Sequence, residues 1–418
     1  MTGASGRGAA EDAKAPRRPA GPLSGVRVLD LTAVVVGPSC TLTLAEQGAQ
    51  VVKLESPEGD LLRRLGGPAP SPDMSPKFIH FNRGKRSIAV DLKTAEGKAV
   101  LLRLAEQADV LVTNMRGGAL ARLGITWEAL RPRNPRLVFC VIAGFGSRGR
   151  HHDSPAYDTI IQGMSGFAAA LGRVLGEPRF APFVLCDHIT GIIASQAITA
   201  ALFARERSGE GQAIEVPMYE SMAHFVLTEH MFRRTFEPAG PTGDPRVMNP
   251  DAKPIPTKDG YIAVSANTDA QAFAFFEAIG RPELKEDPRF NSVVARFRHV
   301  EAYFTLRAQA LRTRTTAEWA AEFRRREIPA MPYATIEGLL EDPHLWETGL
   351  LRREVHPTEG PMTGLGRPVT FSSAGPDELP LAPRLSADAR EVLAEAGYAE
   401  AEIAALLGTA VVPPPAKA

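Results

Sequence analysis

The sequence predicts an α/β protein: a Rossmann-like parallel sheet in a large domain, interrupted by a smaller α+β domain. Three observations predict it. Short apolar runs alternate with helical stretches from residue 22 onward, as successive βαβ units require. Glycine-bearing turns follow three of those runs, where open parallel sheets bind their ligands. A Pro/Gly-rich stretch, 237–256, then breaks the pattern ahead of one strand and a series of helices.

The elements follow in order. Residues 22–32 form an apolar strand-like run. Gly37-Pro38 opens a helical stretch, 39–47, Gly48 closes it, and Gln50-Val-Val-Lys-Leu-Glu55 is the second strand of a βαβ unit. Residues 96–107 read as a helix, 110–113 as a strand, 127–131 as a short helix and 137–142 as another buried strand. Ala181-Pro-Phe-Val-Leu-Cys186 reads as a further buried strand giving way to a long small-residue helix, 189–207. Residues 218–236 are helix-like and amphipathic, 260–265 form a strand, and helices continue to about 326. The expected organisation is a large domain over 22–220, a linker at 221–243 and a small domain at 244–334. The ends, 1–21 and 411–418, read as disordered tails.

Charge and composition exclude several functions. The 418 residues carry 48 Lys and Arg against 48 Asp and Glu, so no overall field draws in nucleic acid or an anionic membrane. Any anion must be held locally. Cys40, Cys140 and Cys186 lie far apart without ligand spacing and read as reduced core thiols. No signal-peptide segment or run of eighteen uninterrupted apolar residues is present, and the expected location is cytoplasmic. No zinc-spaced His/Cys set, Walker sequence or nucleophile elbow occurs. The first βα turn, Val34-Val-Val-Gly-Pro-Ser-Cys40, has one glycine where a dinucleotide fingerprint has three. Covalent chemistry by a carboxylate stays open.

Asp187 is the most informative position, a charge at the seam between an apolar run and a helix start. It reads either as an N-cap or as an active-site carboxylate. A carboxylate of reference pKa about 3.9 is ionised at neutral pH and needs no activating base. The glycines of Gly144-Phe-Gly146 offer backbone N–H groups for an oxyanion. Lys53 reads as a charge flanking its strand. Asp158 reads as a structural cap.

Several blocks carry a resemblance to a known family. They include Leu29-Asp-Leu-Thr32 with Gly37-Pro38, Gly48-Ala-Gln-Val-Val-Lys-Leu-Glu55, Asn82-Arg-Gly-Lys-Arg-Ser-Ile-Ala-Val-Asp-Leu-Lys93 and Asp109-Val-Leu-Val-Thr-Asn114. Arg122-Leu-Gly124, Asn134-Pro-Arg-Leu137, Met164-Ser-Gly166 and Arg205-Glu-Arg-Ser-Gly-Glu-Gly-Gln212 follow in the same order. The chain resembles the CaiB/BaiF family, or family III, of CoA-transferases. The resemblance implies an acyl-CoA:carboxylate CoA-transferase with Asp187 as the nucleophile, carrying first the acyl group and then CoA. It implies a coenzyme A thioester as substrate with no tightly bound cofactor. Arg83, Lys85, Arg86, Asn114, Met115, Arg122, Val35 and Gly37 are the implied CoA-binding positions. It further implies that 335–410 returns to the large domain and that two chains interlock as a homodimer.

Two departures shape the expectation. Formyl-CoA transferase has a glutamine at the position of Val35, so an acyl carbonyl cannot be polarised by a side-chain amide there. The related racemases have a histidine at the position of Tyr157, and neutral Tyr is a poor base, which sets an isomerase behind a transferase. A catalytically silent CoA-binding dimer is the reading from another class.

Overall fold

A computed structural model describes residues 21–372 and 379–414. The expected tails lie outside the described residues except for Gly21 and 411–414. Six strands form one sheet: β1 (Arg27–Leu31), β2 (Gln50–Glu55), β3 (Lys85–Ala89), β4 (Val110–Thr113), β5 (Val138–Ala143) and β6 (Gln212–Pro217). Their order is β3-β2-β1-β4-β5-β6 and every pairing is parallel. The chain therefore reverses its direction of winding between β1 and β4, the switch point at which open α/β sheets bind ligands.

Helices α1 (Val36–Glu46), α2 (Leu62–Leu65), α3 (Pro76–Asn82), α4 (Ala95–Gln107), α5 (Gly117–Leu123) and α6 (Trp127–Leu130) connect the first strands. After β5 come α7 (Asp158–Met164), α8 (Phe167–Leu175) and the long α9 (Leu185–Ser208), and α10 (Met218–His230) follows β6. The central strands β4 and β5 are apolar on both faces: Val110, Leu111 and Val112 are fully buried, as are Val138 and Cys140. This is the pattern of a sheet covered by helices on each side. Helix α9 has the length and composition to cross a bilayer, yet half of its apolar window is buried within the fold. It is a core helix.

The chain divides into two compact units. The first comprises residues through Pro155, Asp187–Met218 and Arg352 onward; the second comprises Ala156–Cys186 and Tyr219–Leu351. In the first unit the C-terminal segment returns to the β3 edge. Ser386 N donates to Ser87 Oγ at 3.0 Å, and Ser87 N donates to Asp388 Oδ2 at 2.7 Å. Val411 and Val412, expected in a disordered tail, belong to this core instead. Asp91 N donates to Val411 O at 2.9 Å and Val412 is fully buried, because two adjacent β-branched apolar residues can still cover the hydrophobic cluster.

The second unit has a three-stranded antiparallel sheet, β7 (Ile255–Pro256), β8 (Tyr261–Val264) and β9 (Ala330–Pro332). An aromatic core of Phe275, Phe276, Phe290, Tyr303, Trp319 and Phe323 packs beneath it. The segment 181–186 is a correction to the sequence reading, because it is not a strand. Gln162 and Asp158 of α7 satisfy its backbone instead: Ala181 N donates to Gln162 Oε1 at 2.8 Å and Cys186 N to Asp158 Oδ1 at 2.7 Å. With those groups taken, Phe183 stands exposed and the helix starts early, at Leu185.

Candidate active site

In parallel βα units each helix runs back against its strands, so helix starts and strand ends share one edge of the sheet. On that edge lie the turn after β1, the turn after β4, the turn after β5 and the first turn of α9. Asn114 stitches the first two together across the switch point. Its Oδ1 accepts from Ala33 N at 3.0 Å and its Nδ2 donates to Ala33 O at 2.9 Å. The side chain thus positions a loop, a role not read from the sequence.

The β1–α1 turn is strained. Val34, a β-branched residue, has φ of 68°, a region such residues avoid. What holds it there is Asp60, whose carboxylate accepts from Val34 N at 3.0 and 3.2 Å. Asp60 is in turn paired with Lys53 at 2.9 Å, and Lys53 Nζ donates to Thr32 O at 2.7 Å. Glu55 pairs with Arg63 at 2.7 Å and Asp30 with Lys85 at 3.1 Å, so three acids and three bases lie buried and matched. Lys53 is therefore structural support for the turn rather than a charge at a strand's flank. The signal was available: Lys53 and Glu55 alternate within a strand covered on both faces, and charges there must find partners.

Asp30 also accepts from Thr32 N, Thr32 Oγ1 and Thr41 Oγ1. Burial pushes its carboxyl up, but Lys85 and Lys53 outweigh burial and hold it at about 2. A carboxyl depressed in the folded state contributes stability that is complete above about pH 4 and lost as pH falls through about 2. Urea titrations at stepped pH are expected to show Asp30→Asn losing about 2 kcal/mol of this acid dependence. An acid limb identical to the parent's would contradict the pairing.

The basic trio expected to grip CoA phosphates does not form one open patch. Lys85 is buried, its ammonium shared among Asp30 Oδ2, Pro38 O and Asn82 Oδ1. It points inward because alternation along β3 sends Lys85 and Arg86 to opposite faces. Arg83 is buried against Glu46 at 2.8 Å, and Arg86 pairs with Glu395 at 2.8 Å. Arg122, in the last turn of α5, is exposed and makes no ion pair among the described residues, and the same holds for Arg116 and Arg148. Arg116 and Arg122 lie at the start and the last turn of α5, which follows β4, and Arg148 lies on the loop after β5. Met115 packs partly buried against the sheet core.

Gly37 and Val35 form the base of the edge. A Cβ on Gly37 would meet Thr32 Cβ at 2.1 Å, so only glycine lets α1 begin so close to β1. Val35 is buried beside it. The Gly144-Phe145-Gly146 turn is fixed by Phe145, which is buried, and by Glu215 on β6, which accepts from Ser147 N at 2.8 Å and Ser147 Oγ at 2.9 Å.

Asp187 lies in the first turn of α9, 8% exposed, where the helix dipole favours an anion. It is not the N-cap. That task falls to Asp158, which takes the Cys186 amide and a 2.6 Å bond from Gln162, in keeping with its reading as a cap. One turn on from Asp187, Gly191 abuts the start of α1: a Cβ there would meet Ser39 Oγ at 2.7 Å and Val36 O at 2.8 Å. Asp187 and Gly191 share a helix face, so this close approach sets the carboxylate beside the β1–α1 turn. His188 is exposed and its ring lies 5.3 Å from that of Phe81. Gly191→Ala is expected to cost about 1–3 kcal/mol by overpacking and to lower kcat more than it raises KM. Denaturation and steady-state kinetics on the variant check this; wild-type kcat would show that the α9–α1 spacing does not matter. Cys40 and Cys140 take no part, for burial pushes both thiols up, Cys140 to about 12.

The fold and this edge define a doubly wound α/β protein with a carboxylate at its ligand-binding rim. Residues 23–389 match CoA-transferase family III, and the chain belongs to that family; it is a CoA-transferase. It is 34% identical to the succinate–glutarate CoA-transferase of Agrobacterium fabrum, over 90% of this chain and 95% of that one. It is 33% identical to a formyl-CoA:oxalate CoA-transferase of Escherichia coli, over 92% and 98%. Among solved structures, a CaiB/BaiF family protein from Brucella suis superposes with TM-score 0.75 and 30% identity, covering 90% of this chain and 100% of that one. The Rv3272 protein of M. tuberculosis does so with TM-score 0.77 and 29% identity, covering 88% and 98%.

Proposed function

We propose that the protein moves CoA from an acyl-CoA donor to a free carboxylic acid, with Asp187 as the covalent carrier. The observation that carries this reading is the carboxylate's place, buried in the first turn of α9, with the capping task taken by another residue. The carboxylate attacks the thioester carbonyl, forming an acyl-aspartyl anhydride and releasing CoA thiolate. The thiolate attacks the aspartyl carbonyl, giving aspartyl-CoA and the donor acid. The acceptor carboxylate then displaces CoA, and the thiolate returns to the new acyl group. No ATP is consumed because each bond made is as activated as the bond broken.

Backbone N–H groups of Gly144 and Gly146 are the proposed oxyanion donors. Arg122, with Arg116 and Arg148, supplies unpaired guanidinium for the CoA phosphates; Val35, Gly37 and Met115 wall the pantetheine path. Asn114 and Lys85 serve this site by holding its loops. Succinate, glutarate and oxalate, which stand beside formyl in the relatives' names, are dicarboxylates, and a dicarboxylic acid is the proposed acceptor. The isomerase reading stands behind because Tyr157 is a poor base and the adjacent Asp158 is buried, accepting from Cys186 N and Gln162 Nε2. Exposed apolar side chains on and before α9, Phe180, Phe183, Ile192 and Phe203, support the homodimer.

The test is ATP-free exchange. Purified protein with succinyl-CoA and a pool of free acids, read by mass spectrometry, is expected to yield new acyl-CoA species, dicarboxylates foremost. Absence of exchange with every donor, alongside deuterium exchange at the α-carbon, would replace transfer with isomerisation.

A further inference from the structure

The second unit contains a cavity of about 640 Å³ that none of the chemistry above uses. That is the size of a small-molecule site. Four cations line it, Arg246, Lys253, Arg296 and Arg307, against two carboxylates, Glu229 and Asp251. Two of the cations are spoken for: Arg296 pairs with Asp269 at 2.8 Å and Lys253 with Asp251 at 3.0 Å.

The other two are not. Arg307 is only 7% exposed and forms no ion pair among the described residues. Its Nη2 donates to Val264 O, its Nε has no acceptor, and its guanidinium carbon stands 5.4 Å from the Tyr303 ring centre and 5.5 Å from that of Phe304. Arg246 is exposed at the same cavity, and among the described residues its guanidinium bonds only the neutral Asn267 Oδ1, at 2.9 Å, while its backbone N donates to Asp244 Oδ1 at 2.8 Å. Glu229 forms an ion pair with neither. Burial pulls the Arg307 guanidinium below its ordinary range, Tyr303 opposes this, and Arg246 adds repulsion. A buried guanidinium that lines a cavity with a second one, and forms no ion pair among the described residues, is costly unless a ligand supplies the anion.

We propose that this cavity binds a small organic oxyanion, its carboxylate or phosphate head held between Arg307 and Arg246 and its apolar body against Phe297 and Phe304. A planar guanidinium offers paired donors to either head group, and the aromatic walls favour a ligand with carbon beyond it. None of the residues lining this cavity carries the chemistry proposed for Asp187, and its test does not require turnover.

Thermal unfolding of the full-length chain would be followed with inorganic phosphate, succinate and phenylacetate, each against sodium chloride of equal ionic strength. A saturable rise in Tm is expected with at least one probe; phosphate or the carboxylates responding alone would distinguish the head groups. Arg307→Met and Arg246→Gln are each expected to weaken the midpoint at least tenfold. In chloride alone Arg307→Met is expected to melt at or above the parent, since a buried unpaired charge is removed; an arginine with a merely structural role would lower Tm instead. Arg246 is exposed, so its variant carries the test if Arg307→Met does not fold. No response beyond chloride with any probe, or equal responses in parent and variants, would overturn the site.

Discussion

Asp187→Ala is expected to abolish CoA exchange, lowering kcat by at least about 10³-fold, because the variant has no group to carry either covalent intermediate. Stability should hardly follow. An anion in the first turn of α9 gains about 0.3–1 kcal/mol from the helix dipole, and the helix keeps its cap from Asp158. The separation is the informative part. A cap or core residue would lose stability and activity together, whereas a nucleophile loses activity alone. Exchange assays with succinyl-CoA and thermal melts on the same preparation measure both. Residual exchange within about tenfold of the parent would remove the aspartyl mechanism.

Breaking the Lys53–Asp60 pair is expected to have the largest effect on stability. Both side chains are 1% exposed and 2.9 Å apart, so removing Asp60 leaves an ammonium buried without its partner, a loss of about 3–5 kcal/mol. The same carboxylate holds Val34 N in the left-handed region, whose strain costs about 1–3 kcal/mol and persists only under such restraint. Asp60→Ala should therefore relax the β1–α1 turn as well, so activity should fall even under conditions where the variant remains folded. Guanidinium denaturation and kcat/KM at low temperature distinguish the two effects. A stability loss below about 1 kcal/mol would mean that the pair does not support the turn.

Much of this architecture was legible in the sequence, for identifiable reasons. Residues 110–113 were found at their observed bounds because a parallel strand covered on both faces reads as a continuous apolar run, and 50–55 because Val51, Val52 and Leu54 follow a helix closed by Gly48. β3 was not read as a strand, since Lys85-Arg-Ser-Ile-Ala89 begins with two charges and only its partner Asp30, 55 residues away, explains the first. The segment 181–186 was apolar enough for a strand, yet its backbone partners are the Asp158 and Gln162 side chains, and nothing local announces them.

The position of Asp187 at a helix start was legible, but the division of labour with Asp158 was not. Both are aspartates near a helix beginning, and only the bond to Cys186 N tells which one caps α9. The basic cluster shows the same limit. Three cations within four residues suggest a patch, and the sheet then turns Lys85 inward while Glu46 and Glu395 claim its neighbours. Spacing in sequence brings charges together; the partners that use them up come from distant parts of the chain.

The most direct test of the central claim is to trap the intermediate. The protein would be mixed with succinyl-CoA and quenched in hydroxylamine, which converts an activated side-chain carboxyl to a hydroxamate, and the proteolytic peptides weighed. The account predicts a hydroxamate on the peptide containing Asp187, dependent on acyl-CoA and absent without it. A protein that exchanges CoA yet shows no modification there, or carries it on another carboxylate, would contradict it.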